Sequence, residues 1–152
     1  MSQRPPLPQP DQFRFHVDVE VRFRDLDAMG HVNNAVYATY FEVARLGYVK
    51  ALGIPGSGEV RELFPFIMLD LQVRFVSEAR LGDVLRVHVR TASLGTKSFT
   101  FEYLVTRTGD GAVVTVGSST LVYFDWGQHR TLPVPPDFRE RLERLEGRRL
   151  AP

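Results

Sequence analysis

Residues 21–45 read VRFRDLDAMGHVNNAVYATYFEVAR. The run begins in an alternating segment and ends in one with helical spacing, so a strand gives way to a helix across a short polar turn. Upstream, FRFHVDVEVRF at 13–23 puts Phe13, Phe15, Val17, Val19, Val21 and Phe23 on one side. Arg14, His16, Asp18, Glu20 and Arg22 fall on the other, the pattern of a half-buried strand. Downstream, Tyr37, Phe41, Ala44 and Tyr48 fall on one face of a helix over 34–52, with Val36, Tyr40 and Val43 as a second stripe. So wide an apolar face predicts a deeply buried helix. Gly53 and then Pro55 stop it.

The segment 54–64 reads as a loop or a ragged short helix. From there the chain is β-like. Strands are expected at 65–76, across VLRVHVRT, across SFTFEYLVT and across AVVTVGSSTLVYF, joined by turns at 82–83, 94–97 and 109–111. Gly117 inside the last strand marks a bulge or a tight contact. After three prolines, 137–148 is a short terminal helix with Phe138, Leu142 and Leu145 on one face. Short connections make the strands antiparallel neighbours. One long helix against such a sheet is an α+β layering. The expected architecture is therefore a hot-dog fold: a curved five-stranded antiparallel sheet around one central helix, with a short C-terminal helix. The domain is expected at 13–148, after a flexible proline-rich arm at 1–12.

Composition narrows the chemistry. The 152 residues fit one domain, and 43% hydrophobic with 24% charged residues is ordinary globular composition. A net charge of +1 selects neither nucleic acid nor membrane as partner. The absence of cysteine excludes thiolate nucleophiles, thiolate-held metals and disulfides. The first dozen residues lack the apolar core of a signal peptide, and no apolar run approaches membrane-spanning length, so a soluble cytoplasmic protein is expected.

The polar turn carries the candidate chemistry. An Asp-x-Asp loop can hold a divalent cation, and it opens the phosphatase motif of haloacid-dehalogenase-like enzymes. Those contexts need a parallel α/β sheet, which this order of elements does not supply, so no metal is expected. Either Asp25 or Asp27 could be a turn carboxylate or a helix cap. Gly30 lets the backbone turn sharply. His31 could be a base, a hydrogen-bond donor or a packed loop histidine. Asn33 or Asn34 suits the helix N-cap. Together they suggest more. Free N–H groups at a helix start can hold a carbonyl oxygen as it becomes negative. A nearby carboxylate can attack the carbonyl carbon or take a proton from water.

The run 21–45 resembles the signature of the 4-hydroxybenzoyl-CoA thioesterase-like family of hot-dog acyl-CoA thioesterases. It is also similar to the acyl-ACP thioesterase branch, which shares the HVNN element. The resemblance continues through LQVRFVSEARLGDVLRV, TKSFTFEY and LVYFDWGQHRTLPVPPDFRERL, covering about residues 16–146. It implies an acyl-CoA thioesterase with Asp27 as the catalytic carboxylate and the backbone N–H near Asn34 polarising the carbonyl. His31 inherits a place in the catalytic group, and Asn33 helps to orient the loop. The acyl-ACP branch carries an asparagine two residues before the histidine. Met29 stands there instead, which favours the acyl-CoA branch. The family pairs two chains into one continuous sheet with the site between them, so a homodimer at least, and a homotetramer by family habit, is expected. No cofactor is implied beyond the CoA of the substrate.

Further positions have weaker readings. Glu42 and Arg45 match an ExxR pattern whose spacing suits an intrahelical ion pair. Tyr37 and Phe41 are core positions against which an acyl group could lie. Phe66 and Met68 could line an acyl tunnel. Lys97 with Ser98, and Arg130, are candidates for the CoA phosphates. Two rival readings remain: a hot-dog hydratase or dehydratase of acyl thioesters, and a non-catalytic acyl-CoA-binding module.

Overall fold

The computed structural model describes residues 3–54 and 64–152. The loop or ragged helix expected at 54–64 falls almost wholly outside the described residues. Strand β1 (Phe15–Glu20) leads through a 3-10 turn (Phe23–Asp25) to helix α1 (Val36–Ala51). Strands β2 (Phe66–Phe75), β3 (Val84–Leu94), β4 (Ser98–Arg107) and β5 (Val113–Asp125) follow. A two-residue β6 (Arg130–Thr131) and helix α2 (Pro136–Glu146) close the chain. The sheet runs β1-β3-β4-β5-β2, antiparallel throughout, and β6 adds a short pairing at the end of β5. This is the hot-dog architecture, with β6 the one strand the alternation did not announce.

Period-2 alternation delivers the inner face. Phe99, Phe101, Tyr103 and Val105 of β4 are all buried against α1 or α2. Phe41 of α1 stacks on Tyr103 with ring centroids 4.5 Å apart. Gly117 sits on β5 opposite Tyr103 and beside that stack. A Cβ there would lie 2.6 Å from Phe41 Cε2 and 3.0 Å from the Gln72 carbonyl oxygen, so the tight-contact reading holds. Helix α2 packs Phe138 against Phe66, Phe99 and Tyr123 and closes one end of the sheet. Burial of such a phenylalanine contributes about 1.5–3 kcal/mol.

Three expectations change. Phe23 is 81% exposed rather than inward, because the Asp25 carboxylate captures the Arg22 N–H at 2.9 Å and curls the chain out of β1. Helix α1 is buried along one face only: Val43 is exposed while Tyr37, Tyr40, Phe41, Ala44, Tyr48 and Val49 are buried. The Glu42–Arg45 ion pair does not form among the described residues. Arg45 instead turns beneath the helix and donates to the Tyr103 hydroxyl at 3.1 Å, because Tyr103 also exchanges a hydrogen bond with Ser119 and offers a buried acceptor.

Residues 5–8 of the proline-rich segment lie against the outer face of the sheet. Arg74 of β2 donates to the Pro5 carbonyl at 2.9 Å. At the other end, Phe13 covers His88 of β3 at 5.6 Å between centroids, and Arg90 lies over the Phe13 ring. Among the described residues no helix is long and apolar enough to cross a membrane.

Candidate active site

The polar turn folds as a miniature hairpin. Leu26 bridges Val32, and the Asp27 N–H donates to the His31 carbonyl at 2.8 Å. Gly30, at φ 79°, makes the reversal in the left-handed region. Asp27 holds the tip closed through Oδ1, which accepts the N–H groups of Met29 at 2.9 Å and His31 at 3.2 Å. The carboxylate stays exposed to solvent.

The N-cap position of α1 is Ala35, without a side-chain cap bond, so the cap expected from Asn33 or Asn34 does not form; the turn before it is shaped by Asn33. Its side-chain Oδ1 accepts the Ala35 N–H at 3.0 Å and its carbonyl accepts the Val36 N–H at 2.9 Å. The Asn34 N–H, one residue further on, donates to no protein atom among the described residues. It is a free donor at the positive end of α1.

The second side of the site comes from the chain after β2. The His31 backbone bridges Arg80, and the Val32 N–H donates to the Ala79 carbonyl at 2.9 Å. That pairing brings Glu78 alongside: His31 Nε2 lies 2.9 Å from Glu78 Oε2. The other carboxylate oxygen, Oε1, takes the Arg80 guanidinium at 2.5 Å. The hydrogen bond from Arg80 holds the Glu78 carboxyl below the ordinary carboxylate range, with His31 adding to the same effect.

A cleft of about 230 Å³ opens among these groups. Asp27, His31, Asn34 and Tyr37 line it together, as the polar turn suggested. Val32, Phe75, Val76, Ser77 and Glu78 complete it, and sequence reasoning missed all five. Glu78 lies within the run LQVRFVSEARLGDVLRV that carried part of the family resemblance, which is the signal that could have found it.

Asp25 has a different place. It is 2% exposed. Its carboxylate accepts the Arg22 N–H, Arg22 Nε at 3.2 Å and Nη2 at 2.8 Å, and the Tyr40 hydroxyl at 2.8 Å. Burial alone pushes this carboxyl up. The hydrogen bonds from Arg22 and Tyr40 outweigh it and hold the group below the ordinary range. Burial, then the bond to Asp25, raises the Tyr40 phenol far above its usual value, so this pair neither gives nor takes a proton at neutral pH.

The remaining candidates stand apart from the cleft within one chain. Phe41 and Phe66 are core residues in this chain, and Met68 lies 36% exposed on the edge strand β2. Lys97 and Ser98 sit at the β3–β4 turn, where the Lys97 carbonyl accepts the Tyr123 N–H at 3.0 Å. Arg130 of β6 lies opposite Asp125 of β5 in the strand register nearby. On β2, Phe66 faces Tyr123 while Phe75 faces Thr115. The cleft and the basic group are thus separated by the length of β2, roughly 30 Å at about 3.3 Å per residue. A larger hollow, about 490 Å³, lies under the N-terminal segment on the outer face. It holds none of these candidates, and its carboxylate Glu102 is already paired with Arg90.

Geometrically, the cleft offers a carboxylate, a free backbone donor and a histidine backed by a second carboxylate. That set can polarise a carbonyl and activate water against it.

Comparisons with known proteins agree with the fold and the reaction class. A family described as the thioesterase-like superfamily matches residues 21–142. The acyl-acyl carrier protein thioesterase ATL3 of Arabidopsis thaliana is 27% identical over 84% of this chain and 67% of its own length. The long-chain acyl-CoA thioesterase FadM of Escherichia coli is 27% identical over 84% of this chain and 96% of its own. A thioesterase from Thermus thermophilus, crystallised with coenzyme A and zinc, superposes with a TM-score of 0.82. It is 39% identical over 92% of this chain and 99% of its own.

Proposed function

The chain belongs to the thioesterase-like superfamily as a thioester hydrolase, and from that premise we propose that it cleaves acyl-CoA to a free carboxylic acid and CoA at the Asp27 cleft. The observation that carries the reading is the free Asn34 N–H sharing one small cleft with the exposed Asp27 carboxylate.

The thioester carbonyl oxygen accepts the Asn34 N–H and gains charge in the field of the helix start. Asp27 then acts in one of two ways. As general base it takes a proton from water while the water oxygen bonds to the carbonyl carbon. As nucleophile its own oxygen makes that bond, and water later hydrolyses the acyl-enzyme anhydride. In both routes the C–S bond breaks and the sulfur leaves with its electron pair. His31, held by Glu78, supplies the proton that the leaving thiolate needs. Met29, in place of the acyl-ACP branch's asparagine, favours CoA over carrier protein as the thiol.

The second half of the reading is a dimer. Strand β2 is an edge strand of the sheet, with Met68 and Leu69 36% and 59% exposed. An unpaired apolar edge is a template for a second strand. Pairing two β2 edges antiparallel about a two-fold axis sets the start of one beside the end of the other. The partner's Lys97, Ser98 and Arg130 then approach this chain's cleft, where CoA phosphates would meet them.

The test is thiol release from a panel of acyl-CoA esters, short to long and aliphatic to aromatic. The wild type is expected to hydrolyse part of the panel, and Asp27→Asn to lower kcat by about 10²–10⁴-fold. Undiminished release by Asp27→Asn refutes the mechanism. No release from any ester by the wild type refutes the substrate class.

A further inference from the structure

We infer that Asp25 and Tyr40 form a positioning pair for the reaction, fixing the Asp27 carboxylate against the Asn34 N–H. This rests on the reading of the cleft given above.

One wall of the cleft, the one that carries Asp27, is a single hairpin. Asp27 sits at the tip of the 25–33 hairpin, and Asn34 directly follows the hairpin's root. The root is closed by the Asn33 N–H donating to the Asp25 carbonyl at 2.9 Å. The tip is exposed and shaped by its own Asx-type hydrogen bonds, and on the 31–32 side the hairpin is tied to the chain after β2 by the His31–Arg80 bridge and the Val32 N–H to the Ala79 carbonyl, contacts that do not reach α1. Direction relative to α1 is set at the root. There the Asp25 side chain reaches the Tyr40 hydroxyl, which projects from within α1. So one carboxylate ties the strand that carries Asp27 to the helix whose start carries Asn34.

Arg22 completes the clamp. Its N–H and guanidinium hold the same carboxylate from the β1 side. Burial keeps Asp25 from exchanging these partners for water.

Leverage sets the size of the effect. Asp27 is two residues out from the root, about 6–7 Å along a strand. A swing of about 10° at Asp25 moves the Asp27 backbone by about 1 Å, a displacement that can lower a rate by up to about a hundredfold. Loss of one of the clamp's several bonds is a partial release, so an effect nearer tenfold is expected.

The test compares three variants of the full-length protein on one good acyl-CoA ester, reading kcat, KM and Tm. Tyr40→Phe keeps the ring and removes the bond to Asp25. It is expected to lower kcat about tenfold with KM within about twofold, since uniform binding is untouched. Tyr48→Phe is the matched control on the same helix. It also deletes a buried tyrosine–carboxylate bond, to Glu146 at 2.6 Å, but away from the cleft. It is expected to lower Tm while leaving kcat unchanged. Asp27→Asn reports on the cleft itself.

If Asp27→Asn is inactive while Tyr40→Phe keeps wild-type kcat, the positioning role is wrong and the cleft reading stands. If Tyr48→Phe lowers kcat as much as Tyr40→Phe, the effect is general destabilisation and the positioning role again fails. If Asp27→Asn keeps full kcat, the cleft reading falls and takes this inference with it.

Discussion

His31 and Glu78 face each other across the cleft with Nε2 and Oε2 2.9 Å apart, although one belongs to the turn before α1 and the other to the turn after β2. The partner fixes the imidazole's orientation, as an orienting carboxylate does for an acid–base histidine. Because Glu78 is held ionised by Arg80 as well, it stays an acceptor through neutral pH. Glu78→Gln keeps the shape and weakens the pairing. It is expected to lower kcat by roughly tenfold, less than direct removal of a positioned acid–base group. The kcat–pH profile of the variant should differ from that of the wild type. An unchanged rate and profile would leave the pair as surface decoration.

Gly117 makes a packing prediction. Phe41 is fixed from behind by its stack on Tyr103. It cannot retreat from a Cβ placed 2.6 Å from its ring, and the Gln72 carbonyl blocks the other side at 3.0 Å. Gly117→Ala is therefore expected to destabilise by about 1–3 kcal/mol through overpacking. Urea denaturation at constant m would register this as a lowered midpoint. A neutral or stabilising result would mean that the helix and sheet separate more easily than the stacked rings suggest.

A pH prediction comes from the outer face. Burial pushes His88 down from 6.5 to about 4, and the neighbouring His16 and then Arg86 press it the same way. Among the described residues, both its ring nitrogens lack a hydrogen-bond partner. Below about pH 6.5 the unfolded chain binds a proton that the folded chain refuses until about pH 4. Stability should thus fall as pH drops through that window, by on the order of 2–3 kcal/mol. Asp25 acts in a lower window. Its folded value lies below the ordinary 3.8, so its contribution is present above that value and is lost only in stronger acid. Denaturant midpoints at pH 7 and pH 4.5 should differ less for His88→Leu than for the wild type. Equal differences would remove His88 as the cause.

What the sequence made legible follows the range of the forces. Phe99, Phe101, Tyr103 and Val105 announced β4 because alternation is local. Tyr37, Phe41, Ala44 and Tyr48 announced one face of α1 for the same reason. Phe23 belongs to the same alternation as Val21, yet it is exposed, because Asp25 curls the chain there and Tyr40 anchors Asp25 from the helix. No pattern within the strand could report that. Arg45 likewise had a plausible neighbour in Glu42 and found a better one in Tyr103, far along the chain. In the site, Asp27, His31 and Asn34 were legible as one continuous turn. Glu78 was not, since only the closing of β2 and its following turn against residues 31–32 brings it there. The two aspartates looked alike in DLD. Burial separates them, one as clamp and the other as exposed carboxylate.

Strand β2 allows a direct test of the dimer. Its register against β5 shifts between Met68 and Asp70, which leaves Leu69 at a bulge on the open edge, 59% exposed. In the proposed β2–β2 pairing, Leu69 of each copy would lie near the two-fold axis and approach the other. Leu69→Glu therefore sets two like charges in an apolar seam, a juxtaposition costing several kcal/mol. It leaves the fold of the single chain alone, since the side chain is exposed there. The wild type should sediment as a dimer or larger assembly and Leu69→Glu as a folded monomer. Thiol release should fall at least tenfold in the monomer, because the partner's Lys97, Ser98 and Arg130 leave the CoA site, with KM rising as the main component. A monomeric wild type at full activity would refute the shared site. A monomeric Leu69→Glu with unchanged KM would keep the dimer but place the CoA contacts within one chain.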